Sequence, residues 1–390
     1  MDWVDLVLIL VVVAAAVHGL RLGALVQVLT FGGFIVGIFV GGEIASRVDP
    51  SIHSNGVRTA VALVLVLGLA VVLGIGGRIA GGWSYGVLQR GHLASVDAVL
   101  GVVVAVAAVL VSAWLVASML SESRFVWLSS AIGRSGVLRA VDEVMPPVPD
   151  AFNHLETFLS GSGFPPVFAG LAQPTARPVA TPSGTEADQI GSAVAASTVK
   201  VIGQACGYLQ EGSGFVVAPG LVVTNAHVVA GEPSTDVIVQ GVTYPATAVL
   251  FDPSFDLAVL RTKAPLGPPL DLDPDDVDRG TQGAVLGYPQ NGTLAVAPAG
   301  IASSLLAQGR DIYNQGAVVR SVYQLDADVQ PGNSGGPVVE ADGTVIGVVF
   351  SRSTVDANVG YALASPGVLS RVEQAEARTS TVGTGACVQS

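Results

Sequence analysis

The sequence predicts a two-part protein, in which four membrane-spanning helices precede an all-β globular domain. The first 120 residues hold long runs of Val, Leu, Ala, Ile and Gly with only isolated charges, whereas the second half has the mixed composition of a soluble domain. From about residue 186 onward, short β-rich segments follow one another without intervening helices, which is typical of barrels or a sandwich. We therefore expect a transmembrane domain over 1–125, an amphipathic segment and Pro-rich linker over 126–185, and a globular domain over 186–390.

Four segments have the roughly 20 mostly apolar residues that a membrane crossing requires, and they cover 2–20, 24–42, 57–77 and 96–120. The first segment also has the length of a signal peptide. Its N-terminal flank, however, carries Asp2 and Asp5 instead of Lys or Arg, and no small-residue cleavage site leads into a polar region. We therefore interpret the first segment as a membrane helix.

The charges between these segments predict the orientation of the chain in the membrane. The first and third connections contain Arg21, Arg78 and Arg90 and no acid, whereas the second contains Glu43 and Asp49 beside its arginines. Arginine-rich connections favour the cytoplasmic side. We therefore expect the globular domain on the extracytoplasmic, periplasmic side of the cell membrane.

Small and polar residues inside the spans have a structural and a functional interpretation. Gly33, Gly37 and Gly41 recur every four residues and form one flat stripe, against which another helix can pack closely. Gln27 and Asp97 can also be interpreted as part of a transport path, because polar groups are costly in a membrane. Asp97 lies near the interface, which favours the structural interpretation.

The two cysteines, Cys206 and Cys387, lie near the two ends of the globular half. In an oxidising compartment, such a pair favours a structural disulfide that closes a long loop. The chain-entropy estimate of its stabilising effect is about 5 kcal/mol. The alternative is a pair of unpaired buried thiols in a cytosolic domain.

The net charge of −12 and the scarcity of clustered Lys and Arg argue against a nucleic-acid partner. The sequence shows neither a cluster of metal-ligand residues nor a nucleotide-binding loop, so we expect no metal and no cofactor. The globular half begins with a possible short helix over 190–199. Its clearest predicted strands are 213–217, 221–224, 237–240, 246–251, 257–261, 283–287, 318–325, 337–340 and 345–350.

The segment 330–337, Gln-Pro-Gly-Asn-Ser-Gly-Gly-Pro, places glycines on both sides of Ser334. Such a tight bend makes the serine hydroxyl project and turns its amide the same way. A serine hydroxyl is a poor nucleophile alone, so this interpretation requires a histidine base and a carboxylate elsewhere in the chain.

One histidine lies beyond residue 160, and it is His227, at the end of a hydrophobic run. Asp256 leads directly into the predicted strand 257–261, a position that suits the carboxylate that orients the histidine. Asp252 is the nearest alternative, but it precedes Pro253 and has the position of a turn former. We predict a catalytic triad of His227, Asp256 and Ser334.

These motifs carry a family resemblance. The segments Thr-Asn-Ala-His-Val-Val at 224–229, Asp-Leu-Ala-Val-Leu at 256–260 and Gly-Asn-Ser-Gly-Gly-Pro at 332–337 resemble those of chymotrypsin-like serine proteases, and Asn333 resembles the HtrA-type branch. The four-span region resembles colicin V production proteins. The whole arrangement is similar to the MarP-type, membrane-anchored acid-resistance proteases of actinobacteria. The resemblance implies two perpendicular six-stranded β-barrels with the site in the cleft between them.

The resemblance also implies the roles of individual residues. Ser334 attacks the peptide carbonyl, His227 accepts and returns the proton, and Asp256 orients the imidazole. The amides of Gly332 and Ser334 form the oxyanion hole.

For substrate binding, the resemblance implies that Phe350, Ser351 and Arg352 pair with the substrate backbone as an added β-strand, and that Gly360 lies near the specificity pocket. Asp328 has the sequence position of the acid that selects basic side chains in trypsin-like enzymes. The alternatives are that Asp328 is a solvated loop acid, or that Asp326 has this role.

We therefore expect a membrane-anchored, extracytoplasmic serine endopeptidase that cleaves cell-envelope proteins, with its own linker as a candidate substrate. The resemblance implies a role in acid or envelope stress and in processing of cell-wall hydrolases. Because a protonated His227 cannot act as a base, acid resistance must depend on the substrates processed. Two alternatives remain, a protease-shaped sensor or binding module with low activity, and a membrane scaffold or transporter regulated by the protease domain.

Overall fold

The computed structural model describes residues 2–46, 55–88, 94–120, 126–145, 167–168, 174, 177–205 and 207–388. Two compact units emerge from it. The first comprises residues 1–120 and 131–156, and the second comprises 121–130 and 157–390. Within the predicted segment 126–185, residues 146–166, 169–173 and 175–176 lie outside the described residues, and they include the prolines at 146–149 and 165–166.

The first unit contains four long apolar helices, which are α1 (Trp3–Leu22), α2 (Ala24–Ser46), α3 (Asn55–Leu88) and α4 (Ala94–Leu120). Each is long and apolar enough to cross a membrane, with candidate spans at Trp3–Leu22, Ala24–Gly41, Val64–Trp83 and Val96–Ser118. This confirms the prediction of four apolar spanning helices. The helix of the third span, α3, contains the predicted 57–77 and continues to Leu88.

The glycines of α3 explain why the helix continues beyond the predicted end at residue 77. Glycine often follows the end of a helix, and several glycines lie around this position. In the structure, a Cβ atom at Gly77 would meet the carbonyl of Leu29, and one at Gly81 would lie 2.7 Å from Cα of Val26. These glycines therefore provide close contact between α3 and α2, and the helix continues through them.

The glycine stripe of α2 packs against the same neighbour. A Cβ atom at Gly37 would lie 2.5 Å from Cα of Ala70, and one at Gly41 would lie 2.7 Å from Cα of Val66. Gly33 lies as closely against the carbonyl of Leu73. The stripe is therefore a helix-packing surface, as the spacing predicts.

The polar residues of the spans hold helix ends. One carboxylate oxygen of Asp97 accepts a hydrogen bond from the amide of Ala24 at 3.0 Å, at the start of α2. The amide of Gln27 donates to the carbonyl of Gly101 at 2.8 Å, in α4. The Asp97 contact satisfies a free amide at a helix N-terminus, and the Gln27 contact connects α2 to α4. Both residues therefore have a structural role.

A buried carboxylate ties two short helices, α5 (Val126–Arg134) and α6 (Gly136–Asp142), to the first span. Asp5 in α1 accepts hydrogen bonds from the Ser135 hydroxyl at 2.6 Å and from the Val137 amide at 3.2 Å. An acid at this place in the first span therefore caps α6, which explains a charge that a signal peptide would not contain.

The second unit contains two closed, six-stranded barrels. The strands of the first barrel are β1 (Thr198–Ala205), β2 (Tyr208–Ala218), β3 (Leu221–Thr224), β4 (Thr235–Val239), β5 (Val242–Asp252) and β6 (Leu257–Thr262). The second barrel contains β7 (Gln282–Gly287), β8 (Ala295–Arg310), β9 (Ala317–Asp326), β10 (Pro337–Glu340), β11 (Val345–Arg352) and β12 (Val359–Ala364). The double β-barrel that the resemblance implies is therefore confirmed.

The strand orders are β1-β2-β3-β6-β5-β4 and β10-β11-β12-β9-β8-β7, and the paired strands are antiparallel. Alternate residues of each strand point into the barrel, as the two-residue period requires. Val201 and Leu260 belong to the first barrel interior, and Tyr323 and Ile346 belong to the second. Three helices complete the described part of this unit, and these are α7 (Gly184–Val194), α8 (Ala226–Val229) and α9 (Ser365–Glu376).

All nine predicted strands coincide with observed strands, and β1, β8 and β12 were not predicted. The long strand β8 is rich in Ala, Gly and Ser, which have little preference for strands. The predicted helix 190–199 instead covers Gly184–Val194, where Ser183 and Glu186 form a capping box, and Thr198 already begins β1. The predicted domain boundary at residue 186 falls inside this helix.

Three residues from the Pro-rich part of the predicted linker contact the second barrel. The ring of Phe168 contacts that of Tyr361 edge-on at 5.5 Å. The Gln324 amide donates to the Pro174 carbonyl at 2.8 Å, and the amide of Val179 donates to Asp326 at 3.1 Å. Asp326, the alternative specificity acid, therefore binds this segment.

The close contact of α2 with α3 predicts the effect of one methyl group. Gly37→Ala places this methyl against the backbone of α3, and we expect it to destabilise the helix pair by about 1–3 kcal/mol. Gly32→Ala is the matched control, because a Cβ atom at Gly32 has no neighbour within 4 Å. Size-exclusion chromatography of heated full-length protein in detergent measures both. Equal heat resistance of the two variants would contradict the packing role.

Candidate active site

His227 is presented by the short helix α8, which follows β3 directly. Its neighbours Ala226, Val228 and Val229 are buried and hold the helix against the barrel. The Asn225 side chain, also buried, donates a hydrogen bond to the carbonyl of Asp256 at 2.9 Å. The end of β3 is thus connected to the turn that carries the carboxylate.

The Asp256 carboxylate binds His227 through both oxygens. Nδ1 of His227 lies 2.8 Å from Oδ2 and 3.0 Å from Oδ1 of Asp256, and the His227 amide donates to Oδ1 at 3.0 Å. Asp256 is fully buried and has a φ of +66°. The carboxylate therefore fixes the ring and places the proton on Nδ1, which leaves Nε2 as the basic nitrogen.

The turn before Asp256 is shaped by Asp252. The Asp252 carboxylate accepts hydrogen bonds from the amides of Ser254 and Phe255 at 3.1 and 3.0 Å. It also forms an ion pair with Arg371 of α9 at 2.7 Å. Asp252 thus acts as the turn former that the sequence indicates, and its carboxylate does not bind His227.

A buried cation, Arg320 of β9, supports the same turn from the second barrel. Its Nε donates to the carbonyl of Ser254 at 2.7 Å, and its guanidinium lies 5.9 Å from the ring centroid of Phe350. Burial lowers the pKa of Arg320, whereas nearby carboxylates, Asp256 first among them, raise it. Arginine remains charged in proteins, so Arg320 supplies a positive charge near Asp256.

Ser334 lies in the loop between β9 and β10, which we call the nucleophile loop (residues 330–336). Gly332 and Gly335 have φ values of +96° and +83°, which favour glycine. A Cβ atom at Gly332 would meet the carbonyl of Tyr288, and one at Gly335 would meet the carbonyl of Ser213. Both the conformation and the close contacts therefore require glycine at these positions.

Hydrogen bonds inside the nucleophile loop leave two amides open. The Asn333 amide donates to the Gln330 carbonyl at 2.9 Å, and the Gly335 and Gly336 amides donate to Val349 and Asn333 at 2.8 and 2.9 Å. Among the described residues, the amides of Gly332 and Ser334 have no acceptor. These two amides are those expected to form an oxyanion hole.

The nitrogen that would receive the serine proton is also open. Within the part of the chain that the structure describes, Nε2 of His227 is buried and has no hydrogen-bond partner, so the Ser334 hydroxyl does not donate to it. Catalytic hydrogen bonds are often long without substrate and shorten when it binds.

The expected substrate strand forms the end of β11. β10 pairs with β11 only as far as Pro337 and Val348, so residues 350–352 extend beyond β10. On the other side, Ser351 and Arg352 pair with Tyr361 and Gly360 of β12. Phe350 is fully buried.

The two residues predicted to determine specificity, Gly360 and Asp328, have different surroundings. A Cβ atom at Gly360 would meet the side chain of Val329, which is fully buried. Asp328 is exposed, and its carboxylate accepts a hydrogen bond from the Gln330 side chain at 3.0 Å. The side chain opposite Gly360 is therefore apolar, and Asp328 has the surroundings of a solvated loop acid.

Among the described residues no cysteine is free. Cys206, the other cysteine of the chain, lies outside the described residues, so its disulfide with Cys387 stays a prediction. The segment before Cys387 packs on the residues that follow α8, where the amide of Gly231 donates to the carbonyl of Thr384 at 3.0 Å.

The two six-stranded barrels carry a serine, a histidine that binds a buried aspartate, and two backbone amides without an acceptor. This arrangement is typical of trypsin-like serine proteases. The family model for the trypsin-like peptidase domain matches residues 212–348, and the model for the colicin V production protein matches residues 4–146.

The chain is 35% identical over 393 residues to the serine protease Rv3671c of Mycobacterium tuberculosis, with 99% of each chain covered. It therefore belongs to the family of this serine protease, and the resemblance to the MarP-type proteases is confirmed. The crystal structure of the Rv3671c protease in its active form matches with a TM-score of 0.54 and 38% identity, over 56% of this chain and 97% of that one. The mitochondrial serine protease HTRA2 of Bos taurus is 38% identical over 183 residues, which cover 45% of this chain and 38% of the relative.

Three residues of the site were not singled out in the sequence. Ser213 lies between Gly212 and Gly214 in β2, and small residues inside a strand indicate close backbone approach. Asn225 precedes His227 and starts α8, and Arg320 is a charge among the apolar residues of β9. Each of these signals is present in the sequence, but none of them indicates which residue the side chain contacts in the folded protein.

Glu232, close behind α8, is a buried acid that the triad does not use. One carboxylate oxygen accepts from the Thr235 hydroxyl at 2.5 Å, and the other has no partner among the described residues. Burial raises the pKa of Glu232 to about 7, the Thr235 hydrogen bond lowers it and Asp236 raises it. Because the folded state holds this proton more tightly, the stabilisation is complete below pH ~4.5 and is lost as the pH rises through about 7.

Glu232→Gln removes this pH dependence, because a neutral amide keeps an acceptor for Thr235. At pH 8 we expect the variant to be more stable than the wild type by up to about 3 kcal/mol, whereas both unfold at the same temperature at pH 4.5. Differential scanning calorimetry of the full-length protein measures the shift. Glu373→Gln, at an exposed position of α9, is the control. Parallel pH profiles for wild type and E232Q would contradict the role of Glu232.

Proposed function

We propose that the chain is a membrane-anchored serine endopeptidase in which Ser334 is the nucleophile, His227 the general base and Asp256 the orienting carboxylate. The observation that carries this assignment is the buried Asp256 carboxylate 2.8 Å from Nδ1 of His227, with Nε2 left open. Ser334 lies on the loop whose two unpaired amides can receive an oxyanion. These features support acyl transfer to serine as the reaction.

The reaction proceeds in two halves. Ser334 Oγ attacks the peptide carbonyl while its proton passes to Nε2 of His227, and the negative charge on the carbonyl oxygen is bound by the amides of Gly332 and Ser334. The tetrahedral intermediate then releases the amine, which takes the proton from Nε2. Water attacks the acyl-enzyme by the same route, and the acid product leaves Ser334 with its proton restored.

The substrates are proteins or peptides, and we propose that they bind as an added strand along residues 350–352 of β11. Val329, opposite Gly360, supports a preference for an apolar side chain before the cleaved bond. An exposed carboxylate such as Asp328 lacks the burial with which a pocket acid selects lysine or arginine. The preference for basic residues is therefore the less favoured proposal.

We further propose that the protease domain lies on the extracytoplasmic side and cleaves cell-envelope proteins. Arg21 in the last turn of α1, Arg90 after the end of α3 and the predicted disulfide of Cys387 support this side. Arg78 lies within α3 and is not part of a connection. We propose cell-wall hydrolases and the chain's own linker as substrates, and a role in acid or envelope stress. These proposals rest on the resemblance to the MarP-type proteases.

A fluorophosphonate probe tests the nucleophile. We expect the full-length protein in detergent to be labelled at Ser334, and Ser334→Ala to lose both labelling and hydrolysis of casein. Asp256→Asn is expected to lower kcat by about 10⁴-fold, because the histidine then adopts the wrong tautomer. Peptide mapping by mass spectrometry identifies the labelled residue.

The control is Ser192→Ala, at an exposed position of α7, which should be labelled like the wild type. Failure of the wild type to react would favour a protease-shaped sensor or binding module. Full complementation of a deletion strain by Ser334→Ala would instead favour a membrane scaffold or transporter as the main function.

The proposed pairing of Cys206 with Cys387 has its own test. Alkylation of the unfolded, non-reduced protein should modify neither cysteine, and reduction should add two alkyl groups to the mass. Reduction is also expected to lower the stability of the barrel unit by up to about 5 kcal/mol. Two alkyl groups before reduction would rule out the bridge.

A further inference from the structure

The Ser213 hydroxyl joins the first barrel to the nucleophile loop. Ser213 lies on β2 and is fully buried, and its Oγ donates to the carbonyl of Gly332 at 2.6 Å. The same oxygen accepts a hydrogen bond from the amide of Tyr288 at 2.9 Å. The backbone amide of Ser213 donates to the carbonyl of Ser334 at 2.7 Å. One residue of the first barrel thus holds two peptides next to the nucleophile.

The peptide that carries the Gly332 amide is fixed from the other side. The amide of Gln290 donates to the carbonyl of Pro331 at 2.8 Å. Because the N–H and C=O groups of a trans peptide point in opposite directions, the Gly332 amide points away from Gln290. Gln290 itself has a φ of +53°, a conformation that brings its amide to this carbonyl.

The next two peptides of the loop are fixed in the same way. The Gly332 carbonyl is held by Ser213, and the Asn333 amide of that peptide donates to Gln330 at 2.9 Å. The Asn333 carbonyl accepts from Gly336 at 2.9 Å, so the Ser334 amide points away from Gly336. All three carbonyls of these peptides therefore have donors. Of their three amides, that of Asn333 has an acceptor, whereas those of Gly332 and Ser334 have none among the described residues.

We propose that Ser213 is a positioning residue for the hydrolysis, whose hydroxyl keeps the Gly332 carbonyl turned away from the reacting carbonyl of the substrate. Glycine offers no side-chain resistance to rotation of this peptide. Without the hydroxyl, the buried carbonyl has no donor and gains from rotating toward water. Rotation disturbs the arrangement in which both oxyanion amides are open together. This inference rests on the proposed function of Gly332 and Ser334.

A purely structural role of Ser213 is the competing interpretation, and the chain offers a matched control for it. Ser197 is also buried, and its hydroxyl donates to the carbonyl of Pro268 at 2.6 Å. Ser213→Ala and Ser197→Ala therefore both remove a buried hydroxyl that donates to a backbone carbonyl at 2.6 Å. Ser213→Ala also removes the acceptor of the Tyr288 amide. Only Ser213 binds the nucleophile loop.

The test compares both variants with the wild type as full-length proteins in detergent. We expect a lower unfolding temperature for both variants, with the larger decrease for Ser213→Ala, which also removes the acceptor of the Tyr288 amide. For Ser213→Ala we also expect a kcat about 10- to 100-fold lower, with KM within about twofold. Ser197→Ala should keep the wild-type kcat. A peptide aldehyde, which forms a tetrahedral adduct with Ser334, should lose affinity for S213A by the factor by which kcat/KM falls. The corresponding peptide alcohol should bind equally well.

The proposal is overturned if S213A keeps the wild-type kcat, or if the aldehyde and the alcohol lose affinity equally. If S213A does not fold, Ser213→Gly is measured instead, because it leaves space for water beside the carbonyl. The wild type is measured in the same assay. If it is inactive and unlabelled by a fluorophosphonate, the proposed function fails. If it is active, the outcome concerns Ser213 alone.

Discussion

The structure of the active site depends on the hydrogen bonds that join the nucleophile loop of the second barrel to β2 of the first. Peptide hydrolysis by a serine protease requires the histidine and the serine to be held in a precise relative position, since a displacement of about 1 Å can lower the rate by about 100-fold. His227 and Ser334, however, belong to different barrels. Ser213 bonds to the Ser334 carbonyl through its amide, and the Thr224 hydroxyl holds the Ser213 carbonyl at 2.8 Å. Because Thr224 ends the strand that leads to His227, a short path of bonds connects base and nucleophile.

The same buried region must also hold a charge. Asp256 is fully buried, and an unpaired carboxylate at such a place would cost several kcal/mol. Its oxygens bind the ring and the amide of His227, while Arg320 places a positive charge near the turn. The positive φ of Asp256, unusual for a residue other than glycine, is thus maintained by contacts from both barrels. The site and the barrel interface stabilise each other.

Much of the fold follows from local patterns, and the observed bounds of β3 and β10 are those predicted. The patterns fail where tertiary contacts decide. Gly77 and Gly81 indicate a helix end, but they pack against α2. The proposed triad residues could be named from the sequence because each lies in a specific motif. The partner of Ser213 could not, because 119 residues separate it from Gly332, and no local signal predicts which carbonyl a buried hydroxyl meets. The pocket position of Asp328 was inferred from its distance to Ser334 along the chain, which does not determine where a loop side chain points.

Proton uptake by Glu232 favours the folded state, because the neutral acid loses less hydration on burial than the carboxylate. The proposed mechanism has a different requirement, since His227 must accept the Ser334 proton and has to be neutral to do so. Acid therefore supports the fold near α8 without supporting the chemistry. An acid-resistance role, which the family resemblance implies, depends on the persistence of the fold in acid and on the substrates that the protein processes.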